Sequence, residues 1–178
     1  MRKLRLPSDP LLNIAGIIVW GLYGLLLVAI VMVSVGLFTT LTVGRDEQMA
    51  ELAAAGLGMT GYLMVLTSLL LIDGLLILAL MFARNLLRIM ESVGEGDPFV
   101  PANADLLLVM GWLAAGGEAI LVALIGIALW FGGAKQIIVA EEATGMFISG
   151  FILMLITFIL ARVFRLGTRL RDDLEGTV

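Results

Sequence analysis

The chain has 178 residues, 61% of them hydrophobic and 15% charged, with a mean hydropathy of +1.09 and a formal net charge of -4. Soluble domains do not reach such values, so this is an integral membrane protein with no length left over for a folded soluble domain. It contains neither cysteine nor histidine, which excludes disulfides, thiolate metal sites, cysteine nucleophiles and imidazole chemistry, so no enzyme and no cofactor are expected.

Four apolar runs follow in chain order, each long enough to cross a ~30 Å hydrocarbon core as a helix. The first, 11–41, comes after three cations in MRKLRLPSDP. It is too long for a signal-peptide core and ends without a small-residue cleavage site, so a retained span is expected. The second, 57–83, continues as a helical pattern through ARNLLRIMESV; from Leu57 to Met90 it would measure on the order of 50 Å and stand clear of the bilayer. Residues 91–104 read as a loop, 105–131 as the third span, 144–164 as the fourth, and 165–178 as a tail that starts helical. The predicted fold class is all-α: one domain, an integral-membrane four-helix transmembrane bundle.

Orientation follows from the cations, which are retained on the cytoplasmic side. An N-in, C-in arrangement puts Arg2, Lys3, Arg5, Arg84, Arg88, Arg162, Arg165, Arg169 and Arg171 inside and leaves Arg45 and Lys135 outside. That asymmetry predicts a multi-pass protein of a bacterial inner membrane with both termini cytoplasmic. The outer loops, GRDEQMAELAAAG and GGAKQIIVAEEATG, are short and mildly acidic.

Asp73 and Glu118 interrupt the second and third spans, and no lysine, arginine or histidine accompanies them inside an apolar run. Each costs about 2.5 to 3.5 kcal/mol to insert at mid-span. Asp73 lies about 16 Å along its helix from Arg84, and Glu118 about 20 Å from Asp105, so the two acids share a depth. On adjacent antiparallel helices the carboxyl groups could meet or share a water, and two carboxylates at close range in low dielectric cannot both stay ionised. The functional reading is a proton or cation site in a small transporter. The structural one is a protonated carboxyl bonded to Thr67, Ser68 or a backbone carbonyl, at about 0.6 kcal/mol per contact.

The loop ESVGEGDPFVPANAD combines turn residues with an aromatic. Gly94 and Gly96 can stop the second helix, Pro98 and Pro101 force an extended path, and Asn103 can cap the third helix through its side-chain oxygen. Phe99 could anchor at the membrane surface or enter a partner's pocket, with Asp97 beside it. In the last segment Val163, Leu166, Leu170 and Leu174 recur at helical spacing among Arg162, Arg165, Arg169 and Arg171, as expected for a helix leaving the membrane among lipid headgroups.

GDPFVPANA, GWLAAG and the ending FRLGTRLRDDLEGTV resemble the bacterial membrane protein family catalogued as domain of unknown function 2975, collinearly from the second helix to Val178. The first helix matches only in hydrophobicity. The resemblance implies a four-helix inner-membrane protein, frequently encoded beside a small helix-turn-helix transcription regulator that it could sequester or control. It brings no catalytic residue and no role for Asp73 or Glu118. The expected function is therefore regulatory capture of a cytoplasmic partner, with no direct contact to nucleic acid, through Asp97, Pro98, Phe99, Pro101, Asn103, Arg162, Arg165, Arg169 and Arg171. The alternative is a small proton-coupled or cation transporter, working as a homo-oligomer and resting on Asp73 and Glu118.

Overall fold

The structure, a computed structural model, describes residues 10–131 and 136–175, and side chains among them except those of 136–144, 172, 174 and 175. Arg2, Lys3, Arg5 and Lys135, on which the orientation argument partly rests, lie outside the described residues, as does the end of the tail. Among the described residues every element is helical: α1 (Pro10–Leu41), α2 (Arg45–Ala54), α3 (Gly58–Gly94), α4 (Pro101–Phe131) and α5 (Gln136–Glu175).

Four of these helices are long and apolar enough to cross a membrane: α1, α3, α4 and the Gly145–Arg171 portion of α5. Their apolar side chains face outward, as they must where lipid replaces water. The fifth, α2, occupies what the sequence reads as an outer loop. Its end is closed by Gly56 in a left-handed conformation at φ 77°, with Leu57 N–H bonded to Leu52 C=O at 2.8 Å. Buried Tyr62 then donates to the Thr40 carbonyl at 3.0 Å, tying α3 to the end of α1. The second expected outer loop also contracts, since α5 already begins at Gln136.

Packing follows chain order: α1 lies on α3, α3 on α4, and α4 on α5. The registers are antiparallel. An added Cβ at Gly16 of α1 would meet Met90 of α3, one at Gly74 of α3 would meet Ile120 of α4, and Gly111 of α4 lies under the Phe158 ring of α5. In lipid, helices gain little from hydrophobicity against one another, so such small residues matter because they let side chains of the facing helix come close. Near the α3–α4 connection three helices converge on one cluster, with Ile89 from α3, Leu107 and Met110 from α4, and Ala161 from α5, backed by Phe82, Leu86 and Phe164. On α1 only Thr40 is buried.

Candidate functional site

The α3–α4 connection and the final turns of α5 form one structure at the same end of the molecule. Helix α3 stops in a Schellman arrangement: Gly96 takes φ 88°, its N–H reaches Val93 C=O at 3.1 Å, and Asp97 N–H reaches Ser92 C=O at 3.3 Å. Gly94, also expected to act as a stop, remains the last helical residue. Pro101 opens α4, where its missing N–H costs nothing.

Asn103 departs from the expected role. It sits inside the first turn of α4, 2% exposed, and its Nδ2 donates to Ser92 Oγ at 2.6 Å and to the Pro98 carbonyl at 2.8 Å. With Pro101 already beginning the helix, the asparagine serves as a buried cross-tie between the end of α3 and the loop, not as a cap through its oxygen. It therefore offers nothing to a docking partner.

Phe99 is the keystone of the connection. Its ring packs over Gly167 of α5, with Cδ1 2.7 Å from where an added Cβ would stand, and lies 5.4 Å from the Phe164 ring. The Thr168 hydroxyl donates to the Phe99 carbonyl at 3.0 Å and also to Phe164 C=O at 3.0 Å. Two ion pairs flank this contact, Arg171 with Asp97 and Arg165 with Asp105 at 3.2 Å. Phe99 is thus not a free anchor awaiting a pocket, because much of it is already spent on α5. What remains outward is a composite face of half-exposed Phe99, the paired charges, and Arg162 and Arg169, which make no ion pair among the described residues.

The two intramembrane acids are level, as the registry of Gly74 with Ile120 shows. They do not face each other. Asp73 turns toward α1, where Ser34 Oγ donates to its carboxylate oxygens at 3.3 and 3.4 Å. Glu118 turns toward α5, where a Cβ at Gly150 would fall on Oε1 and lie 2.7 Å from Cδ. Its Oε2 is buried and has no hydrogen-bond partner among the described residues. Thr67 and Ser68 do not serve the acids either; each bonds back to its own helix, to Leu63 C=O and Met64 C=O at 2.8 Å. Among the described residues no group of three acidic side chains gathers into a metal-binding cluster.

Sequence reasoning missed Ser34, Gly150, Gly167, Thr168 and Asp105 as contributors. Only Asp105 carried a local signal, as the one acid on the loop side of α4. A family model described as "Protein of unknown function (DUF2975)" matches residues 48–178, from within α2 through the clasp to the last residue. No curated protein and no solved structure matches the chain.

Proposed function

We propose that this chain, which belongs to the DUF2975 family, is a regulatory protein of the bacterial inner membrane that captures a soluble partner on the face built by the 95–100 loop and the end of α5. One observation carries the reading: Phe99, Thr168 and two ion pairs lock these segments, far apart in sequence, into one preorganised surface at the α3–α4 end of the helices. A surface held before binding loses less entropy on association. In this reading the loop face is cytoplasmic, both termini lie on that side, and Arg162 and Arg169 steer an acidic patch of the partner, a small helix-turn-helix regulator, into register. No catalytic step and no direct contact with nucleic acid form part of it.

The test is capture by the protein in nanodiscs from the cytosolic fraction, with identification by mass spectrometry. A helix-turn-helix protein retained by wild type, and lost from Phe99→Ala and Arg169→Glu, supports the reading. Equal profiles for all three overturn it.

A second reading, a small proton-coupled or cation transporter assembled as a homo-oligomer, is favoured by the buried Glu118 Oε2, which has no hydrogen-bond partner among the described residues. It would then work through Glu118 without Asp73, whose carboxylate is engaged with α1. Flux in proteoliposomes that vanishes in Glu118→Gln and persists in Asp73→Asn would move the assignment to it.

A further inference from the structure

The arginines near the loop end fall into two classes. Arg165 and Arg171 are neutralised by Asp105 and Asp97. Arg84 and Arg88 on α3 are exposed and make no ion pair or hydrogen bond among the described residues. They stand one turn apart on the same face, where like charges repel unless an anion lies between them. Glu91 and Glu95, further along the helix, form no ion pair with either.

The surface leading up to this pair has a matching character. Leu63, Leu70, Ile77 and Met81 are all exposed, at 55%, 57%, 43% and 46%, and their spacing of seven, seven and four continues at three and four into Arg84 and Arg88. That is one continuous stripe along α3. The contacts to neighbouring helices border this stripe: Asp73 toward α1 lies on one side of it, Gly74 and Leu78 toward α4 lie on the other, and Met90 is on the opposite face. The rise from Leu63 to Arg84 is about 31 Å at 1.5 Å per residue, close to the ~30 Å hydrocarbon thickness, so the arginines emerge at headgroup depth.

We propose that this stripe is a binding site for an anionic phospholipid, with the acyl chain along Leu70, Ile77 and Met81 and the headgroup phosphate held between Arg84 and Arg88. Guanidinium groups suit this because their planar forks match phosphate oxygens and need no deprotonation equilibrium. A zwitterionic lipid offers the same chain but brings its own cation, and a free phosphate brings no chain. The site does not depend on the partner-capture reading, since it lies on α3 away from the Phe99 clasp.

The experiment is native mass spectrometry of the full-length protein released from micelles containing phosphatidylglycerol or phosphatidylcholine. Wild type should keep phosphatidylglycerol through stepwise activation and shed phosphatidylcholine. Replacing both Arg84→Gln and Arg88→Gln should weaken retention roughly thirty-fold, the size of two juxtamembrane arginines. Arg162→Gln with Arg169→Gln removes the same charge from the same end and should retain the lipid. An equal loss in both double variants means diffuse attraction and overturns the site, as does full retention in the Arg84/Arg88 variant. Displacement of the lipid by inorganic phosphate alone would also overturn it, by showing a site for a soluble anion. Arg84→Lys with Arg88→Lys, whose fold is checked by circular dichroism, keeps charge without the fork and should bind between the two extremes.

Discussion

The Phe99 ring stands where a side chain at Gly167 would otherwise be, its Cδ1 2.7 Å from the ideal Cβ position and its Cε1 2.9 Å away. Positions in the loop and in the last helix are thereby fitted to each other, aromatic against the absence of a side chain. The fit gives the loop face its fixed shape, and Thr168 closes it from the backbone side.

The first expectation concerns that fit. Phe99→Ala should destabilise the folded protein by about 1 to 2 kcal/mol, less than a full aromatic burial because the ring keeps 41% exposure. Gly167→Val should cost about 1 to 3 kcal/mol by driving the ring out. In the Phe99→Ala background the same valine should cost little, since the obstacle is gone. Unfolding of the micelle-embedded protein, followed by circular dichroism, reads all three; strict additivity would show that the two positions do not touch.

The flanking ion pairs should matter much less for stability. Their side chains are 41% to 72% exposed, and exposed pairs contribute about 0.2 to 1 kcal/mol. Arg165→Glu should therefore lower stability by under about 1 kcal/mol, with the loss shrinking as salt rises. Adding Asp105→Arg should restore most of it. A loss several times larger, or one indifferent to salt, would mean that Arg165 holds something other than Asp105.

At mid-span the contact between Glu118 and Gly150 predicts a different pattern. A methyl group at position 150 falls on the Glu118 carboxyl, so Gly150→Ala should cost about 1 to 3 kcal/mol by overpacking. Glu118→Gln keeps the volume and should not relieve it. Glu118→Ala should, giving a favourable coupling of about 0.5 kcal/mol or more in the double-mutant cycle. Melting temperatures of the four proteins in one detergent decide it.

How much of this was written locally in the sequence depends on the range of the contact. The four long helices were legible because an uninterrupted apolar run of this length has few other solutions in a bilayer. The α2 helix was not, because ten mostly polar and small residues give a helix too short to persist alone, and it is held by neighbours such as Gln48 on Thr40 at 3.3 Å. The shared depth of Asp73 and Glu118 was legible, since rise per residue is fixed. Their directions were not: facing depends on how each helix is rotated against its neighbours, and Ser34 lies in a run that reads as uniformly apolar. Phe99 stood out as an aromatic in a polar loop, yet its seat lies in a helix that begins after a further span, beyond the reach of any local pattern.

The charge asymmetry predicts that the loop face and both termini are cytoplasmic. A fluorescent protein fused after Val178 should mature and alkaline phosphatase at the same point should be silent, with the reverse for fusions within residues 132–143. Periplasmic phosphatase activity at Val178 would overturn the orientation and, with it, the access of any cytosolic partner to Phe99.

The final expectation separates the two acids. A shared-proton pair would bind its partners cooperatively, so that losing one carboxylate changes what the other contributes, with couplings of up to about 3 kcal/mol between groups in contact. Here Asp73 is held by Ser34 on α1, while Glu118 lies against Gly150 on α5. Asp73→Asn and Glu118→Gln should therefore add within about 0.5 kcal/mol, as independent sites do. Ser34→Ala should cost about 0.6 kcal/mol in the wild-type background, the usual worth of a polar contact between membrane helices. It should cost the same in the Glu118→Gln background and less when Asp73 is already Asn or Leu. A strong coupling between Asp73 and Glu118 in that cycle would mean that the carboxyl groups meet after all, and would return the mid-span acids to a single shared site.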